Sequence, residues 1–149
     1  FAYQRKQGYI KFLKKNNLIF KKIYIYLLEQ DPDQAALIIE KKILNNPKIT
    51  AIICSTEYSA AGAIKACNKL NKKIGIDISL ITFDGAVVNS ISSPSLTAVT
   101  HDRKKLGSKA IEILTTVKKS KSKSYFLAKP EIIERGSVLT LKYNKTDIK

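Results

Sequence analysis

The stretch Thr50-Ala51-Ile52-Ile53-Cys54-Ser55-Thr56-Glu57-Tyr58-Ser59-Ala60-Ala61-Gly62-Ala63 decides the fold class. Its first five residues are a short, unbroken apolar run of the kind seen in a parallel strand buried on both faces. Ser55 or Thr56 then offers a helix N-cap. Ala60, Ala61, Ile64 and Cys67 follow at the spacing of one packed helical face.

The same alternation extends in both directions. Upstream, residues 2–15 place Tyr9, Phe12 and Leu13 opposite Lys11, Lys14 and Lys15, and Asn16-Asn17 stops that helix. Residues 22–28 are β-branched and aromatic and predict a strand. Asp31-Pro32-Asp33 starts a helix with Asp31 as N-cap and Pro32 at the first helical position, where its missing N–H costs nothing. Ala35, Ala36, Ile39, Ile43 and Leu44 make the inner stripe, and Asn45-Asn46-Pro47 ends it.

Downstream, residues 79–83 read as a strand ending at Asp84-Gly85, and the loop that follows, with Ser92, Ser93 and Pro94, leads into Leu96. Residues 96–100 form another strand. Asp102 caps a helix with apolar positions Leu106, Ala110, Ile113, Leu114 and Val117. The Lys/Ser run at 118–124 reads as a solvated linker. Residues 125–127 and 132–138 read as extended, and the tail beyond Leu141 as frayed. Strands alternating with helices, with no internal repeat, argue for an α/β fold on a mainly parallel sheet flanked by helices.

A chain of 149 residues suits one domain of ordinary size. Its longest apolar runs, at 23–28 and 51–54, fall far short of the roughly 20 residues of a membrane span. Two cysteines, Cys54 and Cys67, without scaffold spacing fit a reducing interior rather than a disulfide-built fold. The net charge of +15, from 27 Lys and Arg against 12 Asp and Glu, suggests a polyanionic partner when taken alone. Nearly all of it is lysine, spread along the whole chain, with arginine only at Arg5, Arg103 and Arg135. Base and phosphate recognition leans on arginine, so the lysines read as ordinary surface.

Catalytic chemistry is poorly supplied, and no enzyme, cofactor or metal centre is expected. The single histidine, His101, has no neighbouring pattern that marks a nucleophile or a metal partner. Phosphate-loop, dinucleotide and nucleophile-elbow motifs are absent. Cys67 sits on the inner stripe of its helix, the place of a structural thiol. The polar residues are more telling. Thr56 and Glu57 follow one strand, Asp84 and Gly85 the next, and His101 and Asp102 a third. Ligands of open parallel sheets bind beyond the carboxyl ends of the strands, so these groups predict a site for a small polar ligand.

Six short motifs, in order, also resemble the lactose-repressor (LacI/GalR) family. Arg5-Lys6-Gln7-Gly8-Tyr9 is similar to its R-x-x-G-[YF] segment, and Asn46-Pro47 through Ile53 to its P-x-x-[TA]-[AI] strand approach. Residues 55–63, STEYSAAGA, resemble x-N-D-x-x-A-x-G-A. Residues 77–84, DISLITFD, resemble D-[IV]-S-[VL]-[IV]-G-[FY]-D. Pro94 through Val99 with Leu106, Gly107 and Ala110 resembles P-x-L-T-[TS]-[VI]…[LM]-G-x-x-A, and Glu134-Arg135-Gly136-Ser137 resembles the terminal x-R-x-S.

The resemblance implies a type I, periplasmic-binding-protein-like sensing region: two α/β subdomains joined by a three-strand hinge, with the ligand between them. It implies a repressor that works in the cytoplasm, as a homodimer, without a membrane partner, and that binds a sugar or sugar phosphate and, through a headpiece, DNA. Matched position by position, Arg5 falls at the family's sugar-contacting arginine and Asp84 at its hydroxyl-accepting aspartate. Thr56 and Glu57 take the places of the asparagine and aspartate of its turn, and His101 that of a cleft residue near the hinge. Thr56 departs from the amide, Gln30 stands where an aromatic platform is usual, and Gly85 replaces a polar residue. A transport-type sugar-binding protein is the alternative, although P-x-L-T…L-G-x-x-A and R-x-S favour the repressor. Pairing is expected through the alanine face of the helix near Ser59 and the apolar segment at 86–90.

By the same matching, residues 1–100 and 124–140 form most of the C-terminal subdomain, incomplete at its amino terminus. Residues 101–123 belong to the N-terminal subdomain, and 141–149 are tail. A chain of this extent is therefore expected not to close around a sugar by itself. Calorimetry on the isolated chain checks this: a dissociation constant of about 1 mM or tighter for a simple sugar refutes it.

Overall fold

The computed structural model describes residues 2–84, 86–117 and 125–139. Its elements are α1 (Ala2–Lys15), α2 (Pro32–Asn45), β1 (Ala51–Cys54), α3 (Glu57–Lys69), β2 (Ser79–Phe83), α4 (Ala86–Ile91), β3 (Thr97–Thr100), α5 (Arg103–Val117) and β4 (Glu131–Ile133). The sheet has the order β1-β2-β3-β4. The first three strands are parallel and β4 runs antiparallel to β3, so the α/β fold on a mainly parallel sheet is present.

The local signals explain most of the helix starts. Asp31 accepts from the N–H groups of Asp33 and Gln34, with Pro32 in the first turn of α2. Thr56 caps α3 in a reciprocal box with Ser59. Asp102 Oδ1 accepts from Lys105 N–H at 2.9 Å at the head of α5. Asn17, with φ of 54°, closes α1 as a left-handed residue.

Helix α3 lies on β1 and β2, and α2 lies on α3. The core between them comprises Cys54, Ala60, Ala63, Cys67, Ile74, Ile78, Leu80, Val88 and Leu96. Small residues allow the helices to approach closely. A Cβ placed on Gly62 would stand 2.5 Å from Ala35 Cβ and 2.8 Å from the Pro32 carbonyl oxygen. The predicted α3 face is correct: Ala60 and Cys67 are buried, Ala61 and Ile64 pack against the core partly buried, and the buried Gly62, Ala63 and Ala66 extend it. The alanines that were expected to serve pairing are thus used in packing within the chain.

Several expectations are corrected. Residues 22–28 are not a paired strand; they hold one 3₁₀ turn at Lys22–Tyr24 and then run irregularly. Their β-type composition has no neighbouring strand to pair with among the described residues, and Leu27 is 93% exposed. The Lys42 ammonium, 4.7 Å over the Tyr26 ring, holds the segment against α2. Strand β1 is not buried on both faces: it is the sheet's edge, α3 covers one side, and Ile53 on the other is 59% exposed. Leu44 also faces outward, because α3 is the one described helix or strand that α2 packs on.

The predicted loop after Gly85 contains the short helix α4. Of the two extended C-terminal segments, only Glu131–Ile133 forms a strand. Helix α5 forms as expected, yet it packs on no other described element, and Leu106, Ala110 and Leu114 are exposed. The linker at 118–124 and the tail after Leu141 lie outside the described residues.

A clasp from the end of the chain holds the amino ends of β2 and β3 together. The buried Ser137 hydroxyl donates to the Leu80 carbonyl and accepts from Thr97 N–H at 2.8 Å. The Ser137 carbonyl accepts from Leu80 N–H at 2.8 Å. Arg135 N–H donates to Thr97 Oγ1 at 3.0 Å, and its guanidinium donates to the Leu96 carbonyl. Gly75, with φ of +81°, packs against Gly136 so closely that a Cβ would meet the Gly136 carbonyl oxygen. Ser137→Ala would leave the Thr97 N–H unpaired in a dry setting. It should cost about 2–3 kcal/mol, read as a lower urea midpoint at unchanged slope.

Both cysteines are buried free thiols. Burial pushes the Cys54 thiol up to about 12, reinforced by nearby Cys67 and opposed by a hydrogen bond with Ser59. Burial also raises Cys67. Below its ordinary value of 9.0, Cys54 is protonated whether the chain is folded or not; above it only the unfolded chain ionises. Stability should therefore fall as the pH rises above that value, by up to about 1.4 kcal/mol per unit relative to Cys54→Ala, in denaturant titrations of both proteins.

Candidate functional site

Three parallel strands place their carboxyl ends side by side, with Cys54 level with Thr82 and Phe83 level with Val99. The segments that follow them, Ser55–Glu57, Asp84 and His101, therefore gather on one rim. Arg5 reaches this rim from α1. Arg5, Gln30, Glu57, Tyr58, Phe83 and Asp84, with the Ser55-Thr56 turn, line an open depression of about 260 Å³.

Arg5 joins the parts. One guanidinium nitrogen donates to the Ser55 carbonyl, while Nη2 lies 3.8 Å from Asp84 Oδ2. The guanidinium also sits 4.2 Å above the Phe83 ring. Helix α1 has no buried residue, so this side chain is its main hold on the sheet. Asp84 has φ of 63°, a left-handed conformation that aspartate tolerates, and its N–H donates to the Val99 carbonyl at 2.8 Å. His101 Nδ1 stands 3.8 Å from Asp84 Oδ1.

The Arg5 and Asp84 side chains are 25% and 40% exposed. Both carboxylate contacts are longer than a direct hydrogen bond. The Asp84 carboxylate is thus flanked by the Arg5 guanidinium and the His101 imidazole but still faces solvent.

Thr56 and Glu57 stand at the same rim with structural roles of their own. Thr56 Oγ1 accepts from Ser59 N–H at 3.2 Å and lies 3.1 Å from the Ser59 hydroxyl. Glu57 Oε1 accepts from Val87 N–H at 3.4 Å, tying α3 to the start of α4. The Thr56 and Ser59 hydroxyls are thus bound within the first turn of α3. Among the described residues, no group of three or more His, Cys, Asp or Glu side chains is placed to hold a metal ion.

All five residues predicted for the site, Arg5, Thr56, Glu57, Asp84 and His101, lie at this rim; four line the depression and His101 adjoins Asp84. The side chains that sequence reasoning did not single out are Tyr58 and Phe83. Each is the immediate neighbour of a predicted residue, which is the signal that would have found it.

Comparison with known proteins bears on the family. A model of the periplasmic binding protein-like domain matches residues 1–138. The chain belongs to the periplasmic-binding-protein-like family. The relatives and solved structures that it resembles include PurR repressors and LacI family transcriptional regulators. One relative is the HTH-type transcriptional repressor PurR of Histophilus somni (strain 2336), 30% identical over 142 residues, 94% of this chain and 43% of that protein.

Among solved structures, a transcription regulator from Lactobacillus plantarum superposes with a TM-score of 0.78 at 22% identity, covering 93% of this chain and 54% of that one. A LacI family transcriptional regulator from Arthrobacter sp. FB24, in complex with lactose, gives a TM-score of 0.66 at 21% identity, over 74% of this chain and 43% of that one. This periplasmic-binding-protein-like chain thus spans less than half the length of the curated relative named here.

Proposed function

We propose that this chain is the effector-sensing part of a bacterial transcriptional repressor, which binds a small polyol in a cleft and thereby controls DNA binding by a headpiece elsewhere in the protein. The observation that carries the reading is the grouping of Arg5, Asp84 and His101 with the Ser55–Glu57 turn at the ends of three parallel strands. A solvent-facing carboxylate flanked by donors suits a ligand whose neighbouring hydroxyls it accepts. The repressor names of the curated relatives and the lactose complex of one structural neighbour support the same class.

In this reading residues 101–123 belong to a second subdomain. The exposed apolar side chains of α5, Leu106, Ile111 and Leu114, support that assignment, since they have no packing partner among the described elements. Closure of the two subdomains over the ligand would change the spacing of the DNA-binding heads in a homodimer, with the exposed Ile91 of α4 as part of the pairing surface. Such a regulator acts in the cytoplasm. No helix of the described residues is long and apolar enough to cross a membrane.

The test uses the intact gene product that carries this chain. Calorimetry with neutral mono- and disaccharides, lactose included, should show binding. Arg5→Ala and Asp84→Asn should each weaken it by about 10-fold or more, the value of one charge-assisted hydrogen bond. No binding at about 10 mM of any of these sugars would overturn the polyol reading. Sequencing upstream of the Phe1 codon separates the classes: a helix-turn-helix supports the repressor, a secretory or lipoprotein leader the transport protein.

A further inference from the structure

We propose that the depression at the strand ends selects an uncharged polyol and discriminates against phosphorylated ligands, an inference that rests on the effector-sensing reading. The charged side chains lining it are Arg5, Glu57 and Asp84. A phosphate held by arginine needs the guanidinium's forked edge. Here one nitrogen of that fork already donates to the Ser55 carbonyl, the group sits 4.2 Å above the Phe83 ring, and the Asp84 carboxylate lies 3.8 Å away, where it would oppose a second anion.

The amino end of α3 opens on the same depression and brings about half a positive charge, which would favour an anion. Its first turn, however, already carries the Glu57 carboxylate, and the Ser59 N–H is taken by Thr56 Oγ1 at 3.2 Å. One guanidinium and half a helix charge stand against two full carboxylates, so the local balance is negative. A phosphate ester adds about two more negative charges. The net +15 of the chain does not reverse this, because distributed surface lysines act through salt-screened water, whereas Glu57 and Asp84 border the ligand directly.

A neutral sugar meets no such opposition. Asp84 and Glu57 accept its hydroxyls, Gln30 both donates and accepts, and Tyr58 offers ring surface to its C–H face.

Calorimetry on the intact gene product, with glucose, ribose and fructose each measured beside its own monophosphate ester and inorganic phosphate as a further probe, tests this. In every pair that binds, the neutral sugar should be tighter by about tenfold or more, and Glu57→Gln should narrow the gap. An ester or inorganic phosphate that binds more tightly than the neutral partner, or a gap that Glu57→Gln leaves unchanged, overturns the charge selection and leaves the sensor reading standing. Absence of binding by every sugar, neutral or esterified, overturns both.

Discussion

The backbones of α2 and α3 meet at Gly62, where even a methyl group would collide with Ala35 and the Pro32 carbonyl. This approach sets how far α3 lies from α2, and the opposite side of α3 carries Ala60, Ala63 and Cys67 into the core above β1 and β2. The Asp31 cap and Pro32 fix where α2 begins, so Ala35 arrives where Gly62 can receive it. With α3 seated, the Thr56–Ser59 box determines where its helix starts, and hence where the chain turns off β1. The position of the Ser55–Glu57 turn at the rim follows from packing some distance away.

The rim itself is a consequence of parallel pairing. Parallel strands deliver successive carboxyl ends to one side of the sheet, so groups spaced far apart in sequence meet without any contact being designed between their elements. The clasp of Arg135-Gly136-Ser137 works at the opposite end, closing the gap between β2 and β3 where their own pairing has not yet begun. One end of the sheet is tied by buried hydrogen bonds, and the other is left with solvent-facing charged groups. That division places rigidity behind the site and exchangeable interactions within it.

Features encoded by neighbours in the chain were legible in the sequence, among them the caps at Asp31, Thr56 and Asp102, the strand at 79–83 and the polar groups after each strand. What escaped depends on neighbours in space. Residues 22–28 have strand chemistry, but a strand needs a partner, and none is beside them among the described residues. Continuous apolarity at 50–54 predicts burial on both faces only if the sheet is covered on both; here Ile53 stays open. The same reasoning separates the α5 stripe, which has helical periodicity without a packing partner, from the α3 stripe, which has both. Tyr58 and Phe83 escaped because an aromatic residue beside a helix cap or at a strand end reads as core until the rim is assembled.

Structural commitments also divide the work among the site residues. The Thr56 hydroxyl is committed to the α3 cap, so it has less to offer a ligand than the amide the family pattern places there. Asp84 is different: its backbone is fixed by the bond to Val99 and by its left-handed φ, which leaves the carboxylate oriented yet exposed. Arg5 holds α1 to the sheet through interactions that a ligand in the depression would have to share or displace. A ligand that bridges Asp84 and Arg5 would therefore act on the attachment of α1 as well as fill the depression, coupling occupancy of the site to the position of a whole helix.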